Sequence, residues 1–254
     1  MKISAKFVKN VTEQVKKYKP IVRHLQKKQV NEANTVKVIN DILADVFGYD
    51  KYTEITSEYL ERGNFCDLAV KRSNDKAYMM VEVKGVTVSL NERHVMQVLS
   101  YAVNHGAKWM ILTNGVDWRV YNVKYTKPID KELVFEFNFL DLNLRDQKQL
   151  EMLFALSKTD QGDSPIDELY SNNRVKNKYI IAGLIDSPEV HKLIRKLVRV
   201  YFDNSVKITE EEISMFIRAD ILRHEVVESD ESKVYQKILK RAIKKAGSNK
   251  LVRS

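Results

Sequence analysis

Apolar residues repeat at helical spacing near the N terminus, at strand spacing through the middle of the chain, and at helical spacing again towards the C terminus. Val8, Val11, Val15 and Tyr18 fall at i, i+3, i+7 and i+10. This predicts an amphipathic helix over 3–19 that Pro20 interrupts, then a second helix over about 21–29. Val36, Ile39, Leu43, Val46 and Phe47 continue the helical period behind a cap at Asn31 or Asn34, and Gly48 supplies a stop. Residues 52–58 alternate as a strand. The apolar-rich runs 65–70 and 78–83 flank the polar Arg72-Ser73-Asn74-Asp75, which predicts a β-hairpin. Ser89-Leu90-Asn91-Glu92 has capping-box spacing and opens a helix to about Asn104, with Val95, Leu99, Ala102 and Val103 facing inward and Gly106 at its end. Residues 109–112 have buried-strand character, and Thr113-Asn114-Gly115 reads as hairpin chemistry. Residues 117–125 alternate only in part. Trp118 and Val120 would share one face and Tyr121, Val123 and Tyr125 the other, which leaves the buried face open.

Residues 135–139 add an edge strand, and 150–156 sit in a helix that begins near Asp146. The segment 159–165 is polar and marked by Gly162 and Pro165, so the chain is expected to divide into 1–158 and 159–254. Helices are expected beyond it over about 166–183, 188–202, 210–223 and 231–246, with Leu193, Leu197 and Val200 forming part of an apolar stripe.

With 254 residues, 44% hydrophobic and 30% charged, the chain has enough apolar material for one domain or one domain plus a small appendage. No apolar run approaches the roughly 18 residues of a membrane span, and the single Cys66 suits a reducing compartment, so a cytoplasmic protein is expected. The net charge of +9 points to an anionic partner. Residues 1–30 carry nine Lys/Arg against the single Glu13, and Lys16, Lys17, Lys27 and Lys28 are candidates for phosphate contact; a solvated helix face explains them equally well. The basic end of the chain, Lys240, Arg241, Lys244 and Lys245, is open to the same two readings.

Side chains two apart on a strand share a face. Glu82 and Lys84 therefore project together, and Asp67 on the partner strand can reach them. Two carboxylates and an ammonium around one small volume suit a hydrolytic Mg²⁺ site, since hard cations take oxygen ligands and Mg²⁺ commonly uses one or two carboxylates with water and substrate phosphate. A purely structural alternative is an Asp67–Lys84 ion pair across the strands.

Asp67-x14-Glu82-x-Lys84, with its last two members in an apolar strand, resembles the core motif of the PD-(D/E)xK nucleases, with Cys66 where the family name has Pro. Further pieces follow in order over about residues 30–125. They are the helix that carries Glu32, then Gln97-x3-Tyr101, then MILTNGVDWRVYNV, which is similar to a Leu-Thr-Asn-Gly-x-x-Trp element. Together they more closely resemble the N-terminal nuclease domain of type I restriction enzyme R subunits and the stand-alone predicted type IV restriction endonucleases. Ser187-Pro188-Glu189 and Lys207-Ile208-Thr209-Glu210 look like the helical tail of the latter.

The resemblance implies an α/β (α+β) restriction-endonuclease-like core, with a central mixed β-sheet flanked by helices, plus a C-terminal helical region. It implies a Mg²⁺-dependent DNA endonuclease, with Mn²⁺ as a substitute. Asp67, Glu82 and the Val83 carbonyl would hold the metal, and Lys84 would position water or neutralise the developing anion. Glu32 would complete the metal shell, Gln97 and Tyr101 would hold the strand, and Glu58 matches a further acidic position. Residues i and i+4 share a helical face, which lets Gln97 and Tyr101 point together.

No Gly-x4-Gly-Lys-Ser/Thr loop occurs in the chain, so no ATP site is expected and restriction-system partner subunits become candidates. A homodimer is a further expectation, because a double-strand break needs two cuts. The five histidines show no paired metal spacing; His94, three residues before Gln97, could line the groove but is expected at the surface, and no Gly-x-Ser-x-Gly elbow supports acyl chemistry. Two other functions are weighed against the nuclease. One is a DNA-binding or assembly module that needs a partner for activity, and the other is an RNA-processing or repair enzyme on the same fold.

Overall fold

The computed structural model describes residues 3–61, 64–71, 77–158, 164–202 and 207–251. The expected turn at 72–75 and most of the expected boundary at 159–165 lie outside the described residues, as do the side chains of Glu58 and Lys245. The chain forms two compact units, Met1–Tyr170 and Ser171–Ser254.

In the first unit, α1 (Ala5–Lys28) runs unbroken through Pro20, which corrects the expected interruption. A proline inside a helix withholds the amide its i−4 carbonyl needs and usually breaks or kinks it. Here Pro20 is on the exposed side, while Val11, Val15, Tyr18 and Val22 form a buried stripe that continues past it, so packing outweighs the lost bond. Of the two candidate caps for α2 (Glu32–Asp45), Asn31 serves: its side chain accepts from the Asn34 amide at 3.1 Å. Gly48 follows with φ 82°, a conformation that other residues rarely adopt.

Among the described residues six strands make one sheet in the order β1-β2-β3-β4-β5-β6: β1 (Ile55–Glu61), β2 (Asn64–Lys71), β3 (Ala77–Val83), β4 (Trp109–Thr113), β5 (Asp117–Lys124) and β6 (Asp130–Asn138). All pairs are antiparallel except β3–β4, whose parallel alignment is bridged by α3 (Glu92–His105). The expected mixed sheet flanked by helices is therefore present.

Three boundaries differ from expectation. β1 starts at Ile55 because the Asp50 carboxylate takes the amides of Tyr52 and Thr53 at 2.9 and 2.7 Å and holds that stretch as a turn. α3 starts two residues later than Ser89 would set it, since Asn91 caps it and His94 closes the box. β6 is longer than the expected edge strand, although it does form the sheet edge.

Strand alternation sends side chains to two cores. Leu68, Val70, Met79, Val81, Val83, Trp109, Ile111, Trp118, Val120, Phe135 and Phe137 enter the core that includes α1 and α2. Ala69, Met80, Met110, Leu112, Tyr121 and Val123 enter the core that includes α3. Both faces of β5 are thus buried, which settles the open question of its orientation. α4 (Gln147–Leu156) adds Leu150, Leu153 and Leu156 to the first core. α5 (Pro165–Val175) adds Ile166, Leu169 and Tyr170.

The second unit is helical: α6 (Lys178–Ile185), α7 (Pro188–Tyr201), α8 (Glu210–Phe216), a π-helical turn (Ile217–Ile221), α9 (His224–Glu228) and α10 (Asp230–Leu251). The helix expected over 166–183 is broken in two, because the Asn177 side chain takes the amides of Tyr179 and Ile180 and starts α6 afresh. The stripe Leu193, Leu197 and Val200 lies exposed, and α7 turns His191 inward instead. Asp186 ties this unit together by accepting from Ser214 Oγ at 2.9 Å and Arg218 Nε at 2.6 Å. Among the described residues no helix is long and apolar enough to cross a membrane.

Candidate active site

Pairing between β2 and β3 runs from Val70↔Met79 to Leu68↔Val81. The next β3 amide that faces β2 is that of Val83, and it donates to Asp67 Oδ2 at 2.7 Å. On the other edge the Lys84 amide donates to the Thr113 carbonyl at 2.8 Å, which fixes the end of β3 between its neighbours. Glu82 and Lys84 leave the same side of that strand end, as period two requires, and Lys84 Nζ donates to Glu82 Oε1 at 2.6 Å. Glu32 Oε2, in the first turn of α2, lies 3.8 Å from the same ammonium. Gly85 follows directly and lies against the start of α2: a Cβ there would stand 3.8 Å from the Glu32 amide nitrogen, an ordinary contact. The Asp67–Lys84 ion pair considered from the sequence is replaced by pairing of Lys84 with Glu82 and Glu32, while Asp67 holds the backbone.

The electrostatics are those of a charge cluster kept from water. Burial, followed by the nearby Asp67, raises the Glu82 carboxyl pKa to about 7, with the Lys84 ammonium pulling against both. Asp67 is also raised, chiefly by burial, despite the amide of Val83. For Lys84, burial works against the charged form, but the hydrogen bond and charge of Glu82, with Glu32 and Asp67, outweigh it and hold the pKa above the ordinary lysine range.

Glu82 Oε2 is buried and has no hydrogen-bond partner. An unpaired buried carboxylate oxygen costs stability and calls for a cation or donor. An oxygen set of two carboxylates beside it fits a hard divalent ion. Among the described residues no three His, Cys, Asp or Glu side chains are grouped as a metal cage. Two carboxylates with water suffice for Mg²⁺.

The remaining candidates are spread out. Gln97 Nε2 donates to Tyr101 Oη at 3.1 Å, so the i, i+4 pair shares a face of α3 as expected, but this bond joins the two to each other rather than to Asp67 or Glu82. Lys16, Lys27 and Lys28 are exposed. Lys27 and Lys28 also occupy the last turn of α1, where the helix dipole favours cations in any case. Lys17 is engaged with Asp45 at 2.7 Å, an acceptor it shares with Tyr18 Oη.

His94 is half-buried rather than a plain surface residue, and its pKa is lowered by burial and then by the charges of Lys84 and Arg93. The place along the groove, weighed in the sequence as the less favoured alternative, fits this proximity better than a surface position. The trace of this proximity in the sequence is a position in the first turn of the helix that follows the Glu-x-Lys strand. Asn114 was read correctly as turn chemistry: its Oδ1 takes the amides of Val116 and Asp117 at 3.0 and 2.7 Å.

Residues 32–137 match the family model of the type I restriction enzyme R protein N terminus (HSDR_N). The R-protein match begins at Glu32 on α2, takes in Asp67, Glu82, Lys84, Gln97 and Tyr101, and ends inside β6. It therefore covers the elements that build the carboxylate cluster and leaves out α1 and the whole second unit. No curated protein and no solved structure matches the chain.

Proposed function

We propose that this protein is a divalent-metal-dependent DNA endonuclease of a restriction system, acting at the Asp67–Glu82–Lys84 cluster. One observation carries the reading: inside the segment that matches the R-protein N terminus, a buried Glu82 oxygen without a partner stands beside a second carboxylate and an ammonium. Asp67 and Glu82, with the Val83 carbonyl, would hold the ion. When bound, it supplies charge neutralisation at the scissile phosphate and a water of lowered pKa.

The protein's own part follows from its hydrogen bonds. Asp67 is held by the Val83 amide, so one oxygen is fixed while the other remains an acceptor. Glu82 is kept in place by Lys84, whose three donors allow it to hold Glu82 and still present a proton to a phosphate oxygen. Its raised pKa keeps the ammonium charged at neutral pH, which suits neutralisation of the charge that grows on phosphate. Gln97 and Tyr101 would contact the nucleic-acid strand from α3.

The test is nicking and linearisation of plasmid with Mg²⁺ or Mn²⁺, on methylated and unmethylated DNA, for wild type, Asp67→Asn and Lys84→Ala. Asp67→Asn keeps an oxygen for the Val83 amide, so its fold should survive. Each variant is expected to lose on the order of 10²-fold or more in rate. Equal DNA binding by all three with no cleavage by wild type would sink autonomous catalysis, leaving a binding or assembly module that requires a partner subunit.

A further inference from the structure

The second unit contains a charged surface that the nuclease reading does not use. Lys192, Arg195, Lys196 and Arg199 of α7 fall at i, i+3, i+4 and i+7, on one side of the helix, and with Val200 they line a cavity of about 400 Å³. The chain has no Asp or Glu between Glu189 and Asp203. Arg195 Nη1 is 3.9 Å from Glu210 Oε1, while its Nε is buried without a hydrogen-bond partner. Residues 171–254 carry 18 Lys/Arg against 11 Asp/Glu, so most of the chain's net +9 resides in this unit.

We propose that this side of α7 binds the sugar-phosphate backbone of duplex DNA, as a contact separate from the carboxylate cluster. Four cations on one side of a helix match an acceptor-rich polyanion, and Arg in particular pairs with phosphate through its planar fork. From Lys192 to Arg199 the helix rises about 10 Å. One strand of B-DNA presents about three phosphates over that length. The cations form a row along one side of a single helix, which a strand of phosphates can follow. Contacts to phosphate carry no base information, so the contact is independent of sequence.

The proposal takes DNA as the polymer from the nuclease reading but is measured without cleavage. The full chain is titrated against a labelled duplex in chelator by fluorescence anisotropy, between about 50 and 200 mM salt. For the triple variant Lys192→Ala/Lys196→Ala/Arg199→Ala, the slope of log affinity against log salt should fall by about 0.9 per lost contact, close to 3 in all. Affinity at the lower salt should drop at least about tenfold. The charge-retaining variant Lys192→Arg/Lys196→Arg/Arg199→Lys should keep the wild-type slope, which separates lost contacts from a lost fold. A control triple in the same unit, Lys178→Ala/Lys207→Ala/Lys233→Ala, should change the slope far less. The proposal is overturned by an unchanged slope in the first variant, by an equal loss in the control, or by wild type that binds phosphatidylserine vesicles and not the duplex. Binding that depends on α7 in a chain that never cleaves would end the catalytic reading and leave this one standing.

Discussion

The two units treat apolar and charged residues in opposite ways. Among the described residues, forty-seven of the fifty-one buried hydrophobics lie in Met1–Tyr170 and only Ile180, Ala182, Ile213 and Ile217 lie in the second unit. Thirteen of the twenty large hydrophobics left exposed belong to the second unit. Charge follows the same division: residues 1–170 hold 25 Lys/Arg against 23 Asp/Glu, close to neutrality, whereas the second unit is strongly basic. The contrast has a geometric source. A sheet has two faces, and β3, β4 and β5 bury residues on both of them. The second unit's helices are mostly short, and α7, its most amphipathic, turns an apolar stripe and a cationic one towards solvent. What the first unit keeps for its interior, the second leaves on its surface.

The sharpest way to break this comparison is to empty one site in each unit. Trp118 is fully buried, stacked on Phe137 at 5.8 Å and edge-on to Phe47. Trp118→Ala should cost about 3–5 kcal/mol in chemical denaturation. A cost no larger than that of a surface change in α7 would end the claim that the first unit is the tightly packed one.

Glu82 is the exception inside the first unit, a buried carboxyl on a strand whose other buried residues are apolar, and pH exposes it. Its folded pKa of about 7 is above its ordinary 4.5, so the folded chain retains the proton longer than the unfolded one. The associated stability is full below pH 4.5 and is lost as pH rises through about 7, by up to about 3 kcal/mol in chelator. Asp67, shifted the same way, adds to the trend. Denaturation midpoints across this window should fall with rising pH for wild type and much less for Glu82→Gln; parallel profiles would place the shift elsewhere.

In the second unit, Ile213→Ala removes one of the four hydrophobics buried among the described residues, with an expected cost of about 2 kcal/mol, at the low end for such truncations because the surroundings are thin. The smallest effect belongs to Leu193→Ser/Leu197→Ser, within about 0.5 kcal/mol by thermal unfolding. A large loss there would mean that the stripe is covered when the protein is assembled.

Much of the first unit was legible in the sequence, because strand period and turn chemistry act locally. Asp67, Glu82 and Lys84 could be brought together from alternation and hairpin pairing alone. Their partners could not. Whether Lys84 bonds to Asp67, Glu82 or Glu32 depends on where β2–β3 pairing stops, and that is set by the Val83 amide finding a side-chain acceptor. Pro20 misled for a similar reason: a local rule for breaking helices was overridden by a buried stripe that only the folded sheet supplies. Asn177 and Asn91 show the reverse, where one side chain capturing amides reset a helix boundary against the apolar pattern. The α7 stripe was correctly seen as a stripe, but periodicity says which residues share a face and not whether anything lies over it. Glu32 was placed near the site by resemblance, and its distance to Lys84 is a tertiary fact.

The strand order of the sheet repeats the order of the chain. Each strand therefore docks on the one made just before it, and the single parallel step is bridged by one helix, so the sheet can grow as the polypeptide leaves the ribosome. Once Thr113 has emerged and taken the Lys84 amide, the end of β3 is held by both of its neighbouring strands. The strongly basic second unit is synthesised only afterwards, so the carboxylates can be set in place before its 18 Lys/Arg exist.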